Sequence, residues 1–375
     1  MIHVFEPDIQ ESDIDAVVSA IRRGEISGSF GESIPRFENE FAAYVGCKYG
    51  VAVTSGSTAL ILAVAAMQIE PGSEILMNAC TNIATAYAAL HNGMIPVAVD
   101  SEPDTWNLDL TLIEALITPK TRAIIPVHIY GHPVDMDALN EIAHRHNLTV
   151  IEDCAESHGA TVRGQMTGSF GDMACFSFYA NKVITTGEGG MITTNNTEYA
   201  QRLRLLRNLG FTQPRFRHEI AAYNFRMTGF QAAMGVSQLG RIEQVVAAKR
   251  QVAATYNNLL QGIAGLQQPV ERDWARNIYW MYGIVVDPDK FGMTRDQLAN
   301  YLEQDGIETR TFFCPMNQQP VLLQMKDFRV TQCPIADRLW EQGLYLPSAS
   351  TLDRSTLERI AHSIKTAPKM LNKAI

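Results

Sequence analysis

From about residue 50 to 210, short apolar runs alternate with longer stretches whose apolar positions recur at helical spacing. Residues 50–53, 74–78, 95–100, 121–128, 148–152, 174–178 and 190–194 read as strands. Between them, 57–67, 83–92, 110–117 and 136–146 read as helices, the last with Met136, Leu139 and Ala143 on one face. This alternation predicts an α/β fold whose large domain is a mostly parallel seven-stranded sheet flanked by helices. In such sheets ligands bind outside the carboxyl ends of the strands. A long helix is expected over 236–262, then a strand (279–286), a helix (294–305), another strand and a final helix (357–367). These last elements read as a small C-terminal α+β domain. The expected organisation is an N-terminal segment, 1–40, packing with the small domain, then a large domain, 41–245, then a bridging helix and the small domain, 246–375. Residues 210–223 show little periodicity and read as a long loop, a class often functional.

Composition narrows the partners more than the fold. The chain has 375 residues, 46% hydrophobic and 19% charged, enough to bury a large core. Its net charge of -9 is spread without a basic patch, which argues against nucleic acid and anionic membranes as partners. No apolar run reaches membrane-spanning length. The opening Met1-Ile2-His3-Val4-Phe5 lacks a basic segment followed by an apolar one, so a cytoplasmic location is expected. The cysteines (Cys47, Cys80, Cys154, Cys175, Cys314, Cys333) fall at irregular intervals and read as reduced, mostly buried thiols. His144 and His146 lie on different helix faces, and no metal site is expected.

Three constellations carry candidate chemistry. Lys182 follows the apolar strand Phe176-Ser177-Phe178-Tyr179 and precedes Val183-Ile184 and the small-residue loop Gly187-Glu188-Gly189-Gly190. Partial desolvation there lowers an amine's pKa, and such an amine can form a Schiff base with a carbonyl; the plainer alternative is a solvated surface lysine. Thr54-Ser55-Gly56-Ser57-Thr58 is a glycine turn opening a helix, which suits a phosphate group or, equally, an ordinary N-cap. Val150-Ile151-Glu152-Asp153 delivers Asp153 to a strand end, where it can pair with a protonated ring nitrogen or simply cap the next helix. Ser177 can offer its hydroxyl to a phosphate near Lys182.

Taken in this order, these segments resemble the fold-type I pyridoxal-phosphate (PLP) transferases, and within them the DegT-type sugar aminotransferases. The resemblance also runs through Gly171-Asp172, Tyr223-Asn224-Phe225-Arg226-Met227 and Gly306-Ile307-Glu308-Thr309-Arg310, and covers nearly the whole chain. It implies that Lys182 carries PLP as a Schiff base and relays protons during transamination. It also implies that Asp153 holds the pyridine nitrogen protonated, and that Glu156 sits beside the ring hydroxyl, where many relatives carry Gln. Gly56, Ser57, Thr58 and Ser177 would be at the phosphate. Asn224 would reach that phosphate from the second subunit of a homodimer with shared active sites. Glutamate is the implied amino donor.

Two departures from the family's pattern bear on the substrate. Asn82 stands where relatives commonly stack an aromatic on the cofactor ring. Asn317, in Phe312-Phe313-Cys314-Pro315-Met316-Asn317-Gln318-Gln319-Pro320, stands where perosamine synthases usually read His. That segment and Asn277-Ile278-Tyr279-Trp280-Met281-Tyr282 resemble enzymes that aminate C4 of GDP-4-keto-6-deoxymannose, and an oxidised octulosonate sugar is the other expected substrate for lipopolysaccharide. Arg226, Arg310 and Asn317 are the expected substrate contacts. With only two arginines there, a sugar carrying one carboxylate is at least as compatible as one carrying a diphosphate. Three other classes fit less well. A dehydratase of the same fold replaces the lysine by histidine, and a paralogue that binds PLP without turnover would be expected to have lost Lys182 or Asp153. A nucleotide-sugar dehydrogenase would need a G-x-G-x-x-G turn after the first strand.

Overall fold

The computed structural model describes residues 1–28, 30–325 and 327–371, the last three by backbone alone. Its strands β1 (Tyr49–Val53), β2 (Glu74–Asn78), β3 (Ile95–Val99), β4 (Thr121–Ile125), β5 (Thr149–Asp153), β6 (Met173–Ser177) and β7 (Gly190–Thr194) form one sheet. The order is β1-β7-β6-β5-β4-β2-β3. Neighbours from β6 through β3 run parallel, and β7 is antiparallel to both β1 and β6. Every position of β2, β6 and β7 is buried, as expected of strands covered on both faces.

Helices α1 (Glu11–Arg22) and α2 (Ser33–Val45) precede the sheet. α3 (Gly56–Ala66), α4 (Ala84–Leu90), α5 (Met136–Arg145) and α6 (Thr197–Arg207) accompany its strands, and α7 (Gly229–Leu239) and α8 (Ile242–Leu260) lead away from it. α3, apolar around most of its circumference, is a buried helix packed against α4, α6 and β6. The second sheet is antiparallel, ordered β8 (Leu266–Gln267), β9 (Tyr282–Val286), β11 (Gly343–Leu346), β10 (Arg310–Thr311). α8 joins the two units: Val245 and Val246 belong to the core of the large sheet, whereas Val252, Ala253, Tyr256 and Leu260 belong to that of the small one.

Three expectations are corrected. The helix expected over 236–262 breaks at Gly240 and Arg241, because the Arg241 guanidinium turns onto Asp8 and Asp13. α7 starts earlier, at Gly229, where Thr228 and Gln231 form a reciprocal cap. The segment 1–40 does not pack as one piece with the small domain. Ile2 bridges Ile307 and His3 bonds Glu308, but α1 lies on α7, with Asp13 accepting from Ser237, Gln238 and Arg241. The strand expected from residue 279 begins at Tyr282, since Tyr279 sits at φ +48°.

Candidate active site

The carboxyl ends of β5 and β6 and the N-terminus of α3 meet at a cavity of about 300 Å³. Ser55 caps α3 by accepting from the Thr58 amide at 3.1 Å, and the Thr58 hydroxyl accepts from the Ser55 amide at 3.0 Å. The amides of Gly56 and Ser57 therefore open the helix towards the cavity, which both residues line. Position 56 must lack a side chain, because a Cβ there would come within 2.7 Å of the Ser177 Cβ. That close approach sets the Ser177 side chain, at the end of β6, against the helix N-terminus. Thr58, expected at the phosphate, is spent on the cap and does not line the cavity.

Asp153 ends β5 and is buried. Its carboxylate accepts from the Thr85 hydroxyl at 2.9 Å and from the Ala155 amide at 3.1 Å. Turns, not a helix, follow it, so the helix-cap alternative fails. Burial pushes the carboxyl up, opposed by those hydrogen bonds and by the Lys182 charge. Glu156 accepts from the Tyr130 amide at 2.8 Å, and burial pushes its carboxyl up to about 7 against the pull of Lys182. Lys182 stands in the loop after β6 at the cavity wall. Burial lowers its amine, and Glu156 and Asp153 oppose that fall. Its Nζ lies 3.6 Å from the centroid of the Trp280 ring.

Asn82 lines the cavity with its Oδ1 accepting from the Ala84 amide, the first of α4, at 3.0 Å. Four other expected residues stand elsewhere. Arg226 lines a separate open cleft and donates to Asn208 Oδ1 at 2.6 Å. Arg310 is exposed and pairs with Glu308 at 2.5 Å. Asn317 donates to Asp337 Oδ1 at 3.0 Å, and exposed Asn224 bridges Asn208 outside the cavity of its own chain. Conversely, Trp280, Phe313 and Tyr345 line the cavity without having been singled out as site residues. The first two lie in segments whose resemblance was noted, but nothing local marks Tyr345.

His128, Glu152 and Cys154 form a buried cluster of metal-ligand type. Glu152 is already committed to the amides of Gly168, Phe170 and Gly171. His128 Nδ1 accepts from the Val134 amide, so its Nε2 carries the proton and points at Glu152 at 3.3 Å. The cluster is a structural tie between loops.

A helix N-terminus opening onto a cavity, a buried strand-end carboxylate and a desolvated amine beside them fit the requirements of a PLP-dependent transferase. The sequence pattern of the DegT/DnrJ/EryC1/StrS aminotransferase family matches residues 7–365, and the chain belongs to that family. GDP-perosamine synthase of Caulobacter vibrioides is 42% identical over 96% of each chain. A transaminase of Streptomyces venezuelae, dTDP-3-amino-3,4,6-trideoxy-alpha-D-glucose transaminase, is 35% identical over 95% of this chain and 93% of its own. Among solved structures, 3-amino-5-hydroxybenzoic acid synthase superposes with a TM-score of 0.91 at 28% identity, covering 97% of this chain and 98% of its own. DesV of S. venezuelae, solved with a ketimine intermediate, gives 0.88 at 34% identity over 95% and 94%. The chain is a PLP-dependent aminotransferase.

Proposed function

We propose that this enzyme transfers the amino group of glutamate to the keto carbon of a nucleotide-linked sugar, with C4 of GDP-4-keto-6-deoxymannose as the substrate position, in the cytoplasm. One observation carries the substrate: relatives from three organisms named GDP-perosamine synthase align over nearly all of the chain, at 42%, 35% and 36% identity. The charge argument for a smaller acidic sugar weakens, since neither Arg226 nor Arg310 lines the cavity of its own chain. The six unpaired cysteines accord with a reducing compartment. Among the described residues, no helix is long and apolar enough to cross a membrane.

PLP, when bound, supplies an electron sink for bonds at the carbon bearing nitrogen. Gly56, Ser57 and Ser177 would hold its phosphate, Asp153 its ring nitrogen, Glu156 its ring hydroxyl and Lys182 its carbonyl carbon. Lys182 then holds and moves the proton at Nζ, which its lowered amine suits. Asp153, fixed by Thr85 and Ala155, would present its carboxylate to the ring nitrogen from one point in a buried site.

The site is completed in a homodimer on this reading. Ile14, Val18 and Ile21 are 47%, 37% and 50% exposed along one face of α1, and Ile26 and Phe30 continue the patch. Gly28, between them, presses on Arg226 beside Asn208, the bridge partner of Asn224. The deciding experiment offers glutamate with either GDP-4-keto-6-deoxymannose or an oxidised octulosonate to the PLP-loaded protein. Amination of the GDP sugar is expected, with Lys182→Ala slower by at least ~10²-fold. Turnover of the octulosonate alone would move the enzyme to that substrate.

A further inference from the structure

Trp280 is held at more points than packing requires. Its Nε1 donates at 2.8 Å to the carbonyl of Asn181, the residue before Lys182. Its own carbonyl accepts at 3.0 Å from Lys249 Nζ, which also donates at 2.9 Å to the Ser348 carbonyl. Gly131 leaves room for its amide, since a Cβ there would approach the Trp280 nitrogen to 2.8 Å. The Tyr130 ring stacks 6.4 Å away at 27°. Lys249 is buried, and among the described residues no carboxylate pairs with it. A buried ammonium spent on two peptide carbonyls fixes backbone position at a cost in desolvation. What the fixed ring presents is a face 3.6 Å, centroid to nitrogen, from Lys182 Nζ.

We propose that Trp280 is a positioning residue whose ring face is the resting place of the Lys182 amine whenever that nitrogen is not bonded to another group. The electron-rich face of an indole attracts an ammonium, most strongly where water is excluded. Burial alone drives Lys182 towards the neutral amine, and the ring restores proton affinity while fixing where the nitrogen waits. Three other titratable groups face Lys182. Asp153 and Glu156 act in the same direction as the ring, whereas His158, which burial pushes down to about 3, stays neutral. The inference rests on Lys182 being the cofactor-bearing amine, but its test needs no turnover, so a failure of the sugar assignment leaves it standing.

The test is the pH dependence of Lys182 acylation in the full-length chain stripped of PLP, read by peptide mass spectrometry. W280L removes the aromatic ring, whereas W280F keeps a smaller aromatic face and loses the Nε1 bond. The Lys182 midpoint should fall by about one unit in W280L, a roughly tenfold loss of proton affinity, and by less than about half of that in W280F. A W280L midpoint within about 0.3 unit of wild type overturns the proposal. So does an equal shift in W280F, which would assign the effect to the hydrogen bond. Should W280L not fold, uniform incorporation of tetrafluorotryptophan gives the same comparison without changing the ring's shape. Of the four tryptophans, Trp280 is the one whose ring meets a lysine amine among the described residues. With the fluorinated ring, a lowered Lys182 midpoint upholds the proposal, and an unmoved one overturns it.

Discussion

Asp153 is the residue at which two physical roles separate most cleanly. Its carboxylate closes a turn onto the Ala155 amide and takes the Thr85 hydroxyl, and an asparagine of the same shape can keep a bond to each. What the amide cannot supply is a negative charge facing a cationic ring nitrogen. Asp153→Asn should therefore be folded, with an unchanged melting temperature, yet slower in kcat by at least about 10²-fold. Near wild-type kcat would reduce Asp153 to a turn residue. Asp153 and Lys182 were legible in the sequence because one ends an apolar strand and the other stands in the loop after one, and strand ends are where such sheets bind ligands, whereas Glu156 was implied by the family resemblance alone. Trp280, Phe313 and Tyr345 were not legible as a group. They come from beyond α8, in segments that fold back onto the core of the large sheet at the same cavity. The reverse error has the same origin. Arg226 and Arg310 looked suited to anions, but neighbouring Asn208 and Glu308 hold them away from the cavity of their own chain.

At the scale of elements, α3 and α8 do the positioning, and both make measurable predictions. Gly56→Ala sets a methyl group 2.7 Å from the Ser177 Cβ, which is too close, so the helix N-terminus must move off β6. PLP affinity should fall by at least about tenfold, with little loss of overall stability, because the strain lies at one helix end. Unchanged PLP affinity, measured by fluorescence titration, would show that this turn does not hold the phosphate. In α8, burial pushes the Lys249 amine down to about 8 from 10.5. The folded chain disfavours the charged form, so below about pH 8 this group opposes folding, and the opposition fades as pH rises towards 10.5. Lys249→Met removes the effect. Wild type should therefore gain about 2 kcal/mol on the variant between about pH 7 and 9.5 in urea unfolding. A constant difference across that range would mean that Lys249 titrates as it does in the unfolded chain. The elements themselves were mostly legible, since seven strand segments and α5 follow apolar spacing. The break between α7 and α8 was not, because it depends on Arg241 reaching residues more than two hundred positions away.

For the whole molecule, the question is whether one chain makes a complete site. Asn224 stays outside its own cavity, and the exposed apolar face of α1 continues to the cleft that holds Arg226. Both features are explained if a second copy covers the patch and receives Asn224 at its phosphate-binding turn. In a two-fold dimer the same surface serves both partners, so each site would take Lys182 from one chain and Asn224 from the other. Lys182→Ala and Asn224→Ala should each be inactive or nearly so. Mixed at equal concentration and allowed to exchange, half the dimers are hybrids, and each hybrid has one site with both residues intact. Activity should then recover to about a quarter of wild type. The recovery should fail with Ile21→Asp in both chains, because that charge falls in the apolar patch. Hybrids detected by native mass spectrometry but without recovered turnover would place Asn224 outside the site and leave each chain to complete its own.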